Sequence, residues 1–102
     1  MRLIKERFLR DAAPARSKAG KWFDAWIAVV RAANWKNIQE LRRTYPSADP
    51  VSVSSGRSVT VFNVCGNDFR LIVAIHYDKQ RIYTLRFLTH AEYSKNHWKK
   101  EL

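Results

Sequence analysis

Residues Ser58 to Glu92, SVTVFNVCGNDFRLIVAIHYDKQRIYTLRFLTHAE, decide the fold. Val, Thr, Phe, Ile and Leu recur through them with a period of two, the spacing of strands that lay one face on a core. Gly66-Asn67-Asp68 and Asp78-Lys79-Gln80 interrupt that pattern with turn residues. Both breaks are too short for a crossover helix, so strands over about 58–64, 69–77 and 81–88 run antiparallel. Val51 to Val53 offers a short extra strand at the edge. Directly after the last strand, Thr89-His90-Ala91-Glu92 carries the T-x-x-E signature of a capping box, which predicts a short helix over about 90–97.

Upstream of Tyr45 the period is helical. Ala19, Trp22, Phe23, Trp26, Ile27 and Val30 form an amphipathic stripe that predicts a helix over about 15–34. Two tryptophans at that spacing read as core rather than as a platform for stacking bases. Leu3, Ile4, Phe8 and Leu9, set among charged residues and closed by Pro14, predict a first helix over about 3–13. Asn37 with Glu40 resembles a second capping box and opens a helix over about 38–44. Tyr45-Pro46-Ser47-Ala48-Asp49-Pro50 is the punctuated connection where helices give way to strands. The expected architecture is α+β, one domain over residues 1–102, with N-terminal helices on one face of a three- to four-stranded antiparallel sheet and a short C-terminal helix.

Charge constrains the partner. The chain has 19 Lys plus Arg against 9 Asp plus Glu, a net charge of +10 over 102 residues. Of these, 11 basic and 4 acidic residues lie at or before Tyr45, and 8 and 5 follow it, so the excess is spread over a surface rather than held in a tail. Polyanions are the natural partners of such a surface. A hydrophobic share of 46% with 3 Gly and 3 Pro excludes a disordered basic tail, and the length excludes a Rossmann pair or a barrel. Cys65 is the one cysteine and forms no internal disulfide. The longest apolar runs, Trp26–Val30 and Leu71–Ile75, fall far short of a membrane span, and the amino terminus lacks a signal-peptide run. A cytoplasmic location without a membrane partner is expected.

Strand parity gathers the candidate chemistry. Phe69, Leu71, Val73, Ile75 and Tyr77 share a face with Tyr83, Leu85 and Phe87; Arg70, Ile72, Ala74 and His76 lie opposite, with Ile82, Thr84, Arg86 and Leu88. If Tyr77 pairs with Arg81, then Arg70 faces Leu88 and Ile72 faces Arg86, which makes the two arginines diagonal neighbours. A solvated sheet face also carries arginines, but an anion between these two relieves their repulsion. The terminal helix adds His90, Tyr93, Ser94 and His97 at i, i+3, i+4 and i+7, with Lys95, Lys99 and Lys100 nearby. Cleavage of an RNA phosphodiester needs a base for the 2′-hydroxyl, cations for the phosphorane and an acid for the 5′ oxygen. His, Tyr, Lys and Arg supply all three without a metal. Cys65, His76, His90 and His97 include no C-x-x-C or H-x-x-x-H pair, and no nucleotide-binding glycine motif is present, so neither a metal nor a cofactor is expected.

Val61-Phe62-Asn63-Val64, Gly66-Asn67-Asp68-Phe69-Arg70-Leu71 and Phe87-Leu88-Thr89-His90-Ala91-Glu92-Tyr93, with Ile38 to Asp49 upstream and Trp98-Lys99 downstream, resemble the HigB toxins of type II toxin-antitoxin modules, within the RelE-like superfamily. The resemblance implies a metal-independent endoribonuclease, an mRNA interferase that cuts messenger RNA on the ribosome and is neutralised by a helix-turn-helix antitoxin of the HigA type. Carried over by position, it picks out Asn67, Arg70, Thr89, His90 and Tyr93; joined with the arginine pair and the lysines read above, the expected catalytic residues are His90, Tyr93, Arg70 and Lys95 and the expected RNA-binding residues Asn67, Arg86 and Lys99. Relatives often carry Asp after the tyrosine, where this chain has Ser94, and Lys-Tyr after the Gly-Asn turn, where it has Asp68-Phe69. A non-catalytic RNA- or ribosome-binding module with the same basic face is the competing expectation.

Overall fold

The structure, a computed structural model, describes residues 1–102. Its five-stranded sheet has the order β1-β5-β4-β3-β2, built from β1 (Arg2–Ile4), β2 (Asp49–Ser52), β3 (Ser58–Val64), β4 (Phe69–His76) and β5 (Arg81–Thr89). Helices α1 (Glu6–Ala12), α2 (Lys18–Ala32) and α3 (Ile38–Thr44) precede β2, and α4 (His90–Ser94) with a 3₁₀ turn (His97–Lys100) ends the chain. No helix is long and apolar enough to cross a membrane.

The first helix expected over 3–13 is instead a strand and a shorter helix. Arg2, Leu3 and Ile4 pair in parallel with Arg81, Ile82 and Tyr83, which covers the outer edge of β5. Lys5 then takes a left-handed conformation, φ 65°, and breaks the chain before α1. Its carbonyl accepts hydrogen bonds from the Thr84 hydroxyl at 3.0 Å and the Phe8 amide at 3.0 Å, so the break is held from both sides. The sheet is therefore mixed and five-stranded rather than antiparallel with three or four strands. Three residues are too few to show a strand period.

Helix α2 starts later than expected because Ser17 caps it, accepting from the Gly20 amide at 3.1 Å. Ala19, Phe23, Trp26, Ile27 and Val30 are buried against the sheet, and Trp26 meets Phe62 edge to face at 5.5 Å. Asn37 caps α3 through the Glu40 amide at 2.9 Å; the Glu40 carboxylate reaches past the cap to the Lys36 amide at 3.0 Å. The Met1 ammonium donates to the Val30 and Ala33 carbonyls at the negative end of α2.

Strand β4 is covered on both faces. Leu71 and Val73 belong to the large core under α1 to α3, whereas Ile72 belongs to a smaller one formed with Val53, Val59, Val61 and Trp98. In β5 the alternation slips. Arg86 pairs with Ile72 but Thr84 pairs with Val73, so Leu85 is an extra residue, a β-bulge. Ile82 and Thr84 consequently face the helices, while Leu85 and Leu88 join the opposite core. The common face expected for Tyr83, Leu85 and Phe87 is thus corrected: of the three, Phe87 alone packs on the helix side. His76, not Tyr77, pairs with Arg81. The bulge compensates that shift, and Arg70 still faces Leu88 while Ile72 faces Arg86.

Gly20 is buried at the first turn of α2, and a Cβ there would lie 2.1 Å from the Pro14 carbonyl oxygen. Helix propensity favours Gly20→Ala by about 1 kcal/mol, but backbone overlap outweighs it. We expect the variant to lose about 1–3 kcal/mol in urea unfolding; equal or greater stability would refute this packing.

Candidate functional site

The face of the sheet away from α1 to α3 carries the candidate chemistry. Two rows cross it: Asn63 pairs with Arg70 and Arg70 with Leu88; Asp49 pairs with Val61, Val61 with Ile72 and Ile72 with Arg86. Trp98, 3% exposed, packs with Val61 and Ile72 and anchors the terminal segment there. The Lys99 carbonyl accepts from the Ser54 amide at 3.0 Å, which ties that segment to the β2–β3 connection.

Arg70 is the centre of the first group. It is 8% exposed, donates to the Phe69 carbonyl at 2.9 Å and to the Asn67 side-chain oxygen at 3.3 Å, and pairs with no carboxylate. Asn67 reaches it because Cys65 and Gly66 both adopt positive φ, 54° and 68°, and fold the β3–β4 turn back over β4. The Tyr93 ring lies 5.7 Å from the guanidinium carbon and stacks on Trp98 at 5.3 Å and 18°. Trp98 Nε1 donates to the Tyr93 carbonyl at 3.1 Å, and Lys99 Nζ lies 5.7 Å from the other aromatic of the stack. Burial pushes the Tyr93 phenol above its ordinary value, as does the charge of Asp49, while Arg70 pulls it down.

Two backbone constraints fix His90 next to the turn that carries Asn67. Thr89 and Glu92 complete the expected capping box, and the His90 amide donates to the Asp68 carbonyl at 3.1 Å, joining α4 to the β3–β4 turn. The imidazole is exposed, with Nδ1 3.4 Å from the Ser94 hydroxyl.

The expected helical face from His90 to His97 is not formed. Helix α4 ends at Ser94, and Asn96 is left-handed at φ 62°. The chain leaves the helix so that Trp98 can dock on the sheet. His97 is carried to a separate cavity of about 270 Å³, lined by Arg86, Lys95, Trp98 and Glu101 among others. Arg70 and Arg86 thus share a face but not a pocket, and Lys95 stands with Arg86 rather than Arg70. Glu101 pairs with Arg86 at 3.1 Å, a contact no spacing in the sequence indicates. Trp98 joins the group by a tertiary contact that its sequence spacing does not signal, whereas the 58–64 strand pattern places Asn63, opposite Arg70, on that face. No group of three or more His, Cys, Asp or Glu side chains is arranged to hold a metal ion.

Comparison with known proteins places this geometry in context. The profile of the HigB toxin family, described as the RelE-like toxic component of a toxin-antitoxin system, matches residues 19–96. An mRNA interferase toxin HigB of Escherichia coli strain K12 is 28% identical over 93 residues, 91% of this chain and 88% of its own length. Proteins called mRNA interferase HigB in Escherichia coli O157:H7 and Shigella flexneri match to the same extent.

Two titrations follow. Removing the cation that lowers the Tyr93 phenol, by Arg70→Gln, is expected to raise its midpoint further in phenolate absorbance, referenced to Tyr93→Phe; a downward move contradicts the contact. Burial also raises the phenols of Tyr45 and Tyr77. A raised folded pKa gives stability that is complete below the unfolded value, about 10, and is lost as pH rises through the folded value. Urea midpoints should therefore fall in that alkaline window.

Proposed function

The chain belongs to the HigB family of RelE-like toxins, and from that premise we propose that it is a metal-independent endoribonuclease that cleaves messenger RNA engaged on the ribosome and is held inactive by a HigA-type helix-turn-helix antitoxin. The names of its relatives, mRNA interferases, support the activity. The observation that carries the reading is Arg70, a nearly buried guanidinium without a carboxylate partner. Burying an unneutralised cation is costly, and a scissile phosphate beside it supplies the missing charge.

In this reading the 2′-hydroxyl oxygen attacks phosphorus and the 5′ oxygen leaves, giving a cyclic phosphate and a 5′-hydroxyl end. Arg70, oriented by Asn67, stabilises the equatorial oxygens as charge builds. Tyr93 packs against it, His90 is tied to the adjacent turn through its amide, and the two share proton transfer and positioning. A phenol is protonated at neutral pH in any case, so Tyr93 is suited to donating a hydrogen bond, while burial, which raises its pKa, makes release of that proton harder. Lys95, Arg86 and Lys99 add positive charge where RNA extends beyond the scissile bond.

Expression is expected to arrest growth with transcript cleavage. His90→Ala should reduce cleavage by about 10²–10⁴-fold and Arg70→Ala by about 10²–10³-fold, with the His90 variant unfolding at the wild-type urea concentration. Intact transcripts in the presence of tight RNA binding would instead establish the non-catalytic binding module.

A further inference from the structure

We propose that the cavity between α4 and the terminal 3₁₀ turn is a second phosphate seat, taking the phosphodiester next to the one at Arg70, and that the Glu101 carboxylate occupies this seat until RNA displaces it. The proposal rests on the ribonuclease reading for its substrate, though not for the seat itself.

Arg86 presents the edge that guanidinium groups use to grip a phosphate. Its Nε and Nη2 both reach Glu101 Oε2, at 3.3 and 3.1 Å, and that edge fits two oxygens of one anion. The third nitrogen donates to the Leu85 carbonyl at 2.7 Å. Leu85 is the bulged residue, so the irregularity that turns Arg86 onto this face also aims its guanidinium.

The rest of the lining suits an anion more exchangeable than a resident side chain. Lys95 and His97 face the same cavity and make no hydrogen bond or ion pair with Glu101. The other carboxylate there, Glu92, is spent on the Thr89 amide at 2.9 Å. The Arg86 and Glu101 side chains are 35% and 59% exposed, and ion pairs this open to water are weak. A phosphate can thus replace Glu101, recruit the lysine and imidazole it leaves unused, and keep both Arg86 bonds.

Position supports a flanking phosphate over an unrelated anion. Arg70 and Arg86 are diagonal neighbours across β4 and β5, with backbones about 7–8 Å apart. That is a step one nucleotide of single-stranded RNA can span. The stacked Tyr93 and Trp98 rings stand beside both groups: Tyr93 against Arg70, and Trp98 in the wall of the cavity.

The test compares Glu101→Gln with Asp78→Asn, which removes an equal charge in the turn after β4. Three probes are used: inorganic phosphate, followed by the Arg86 Nε–Hε resonance; a 2′-O-methyl oligonucleotide, which binds but cannot be cut; and the same oligonucleotide with one flanking phosphate replaced by a neutral methylphosphonate. Glu101→Gln is expected to tighten phosphate and oligonucleotide binding about two- to fivefold, with the methylphosphonate abolishing the gain. Asp78→Asn should give less than half that effect. Equal gains in both variants, or a gain that survives the methylphosphonate, overturn the proposal. If RNA is neither bound nor cut while phosphate still titrates Arg86 more tightly in Glu101→Gln, the seat stands and the ribonuclease reading falls. If RNA is cut but Glu101→Gln matches wild type, the seat falls alone.

Discussion

Strand β5 has to bury Ile82 and Thr84 beneath the helices at one end and present Arg86 and Leu88 to the opposite face at the other. Strict alternation cannot do both, because residues an even number apart share a face. The unpaired Leu85 changes the parity in mid-strand and separates the two duties. The helical core keeps its apolar layer, and the far end of the strand brings Arg86, the α4 capping box and the cation group onto one surface. The Leu85 carbonyl, freed from the regular ladder, is what Arg86 Nη1 binds.

The charge balance serves that surface. Of 9 acidic residues, Glu6, Asp11, Asp24, Asp49 and Glu101 form ion pairs, and Glu40 and Glu92 bind backbone amides near helix starts. Asp68 and Asp78 stand in the two turns, and none of the nine forms an ion pair with Arg70. A cation that is nearly buried, hydrogen-bonded to neutral oxygens and packed on an aromatic ring is stable enough to hold its geometry yet keeps its electrostatic demand for an anion. Arg86 is the contrast, more open to water and already neutralised by a carboxylate of its own chain.

The terminal segment is what makes the second face a candidate site rather than a solvated sheet. Docking Trp98 on Val61 and Ile72 creates a small core, supports the Tyr93 ring from behind and takes His97 away from His90. The expected helix from 90 to 97 fails for this reason. Five helical residues gain little by continuing into polar Lys95 and Asn96, whereas burying an indole is a large apolar gain. Local spacing registers the capping box but not the competing attraction of a sheet whose strands lie tens of residues away.

The sequence by itself determined the class of the fold and the elements that carry most of the candidate residues. The shift from a 3.6 to a 2 period, the two turn clusters and the capping residues are local signals, and Arg70, Asn67, His90 and Tyr93 sit where those signals put them. Tertiary structure alone decided the parallel edge strand at Arg2–Ile4, the bulge at Leu85 and the pairing of Glu101 with Arg86. Each of these answers a demand from a distant part of the chain: an uncovered strand edge, two cores on opposite faces, an arginine without a counter-ion. Periodicity carries no trace of such demands, since it records what a segment does with its neighbours and not what lies across the sheet from it.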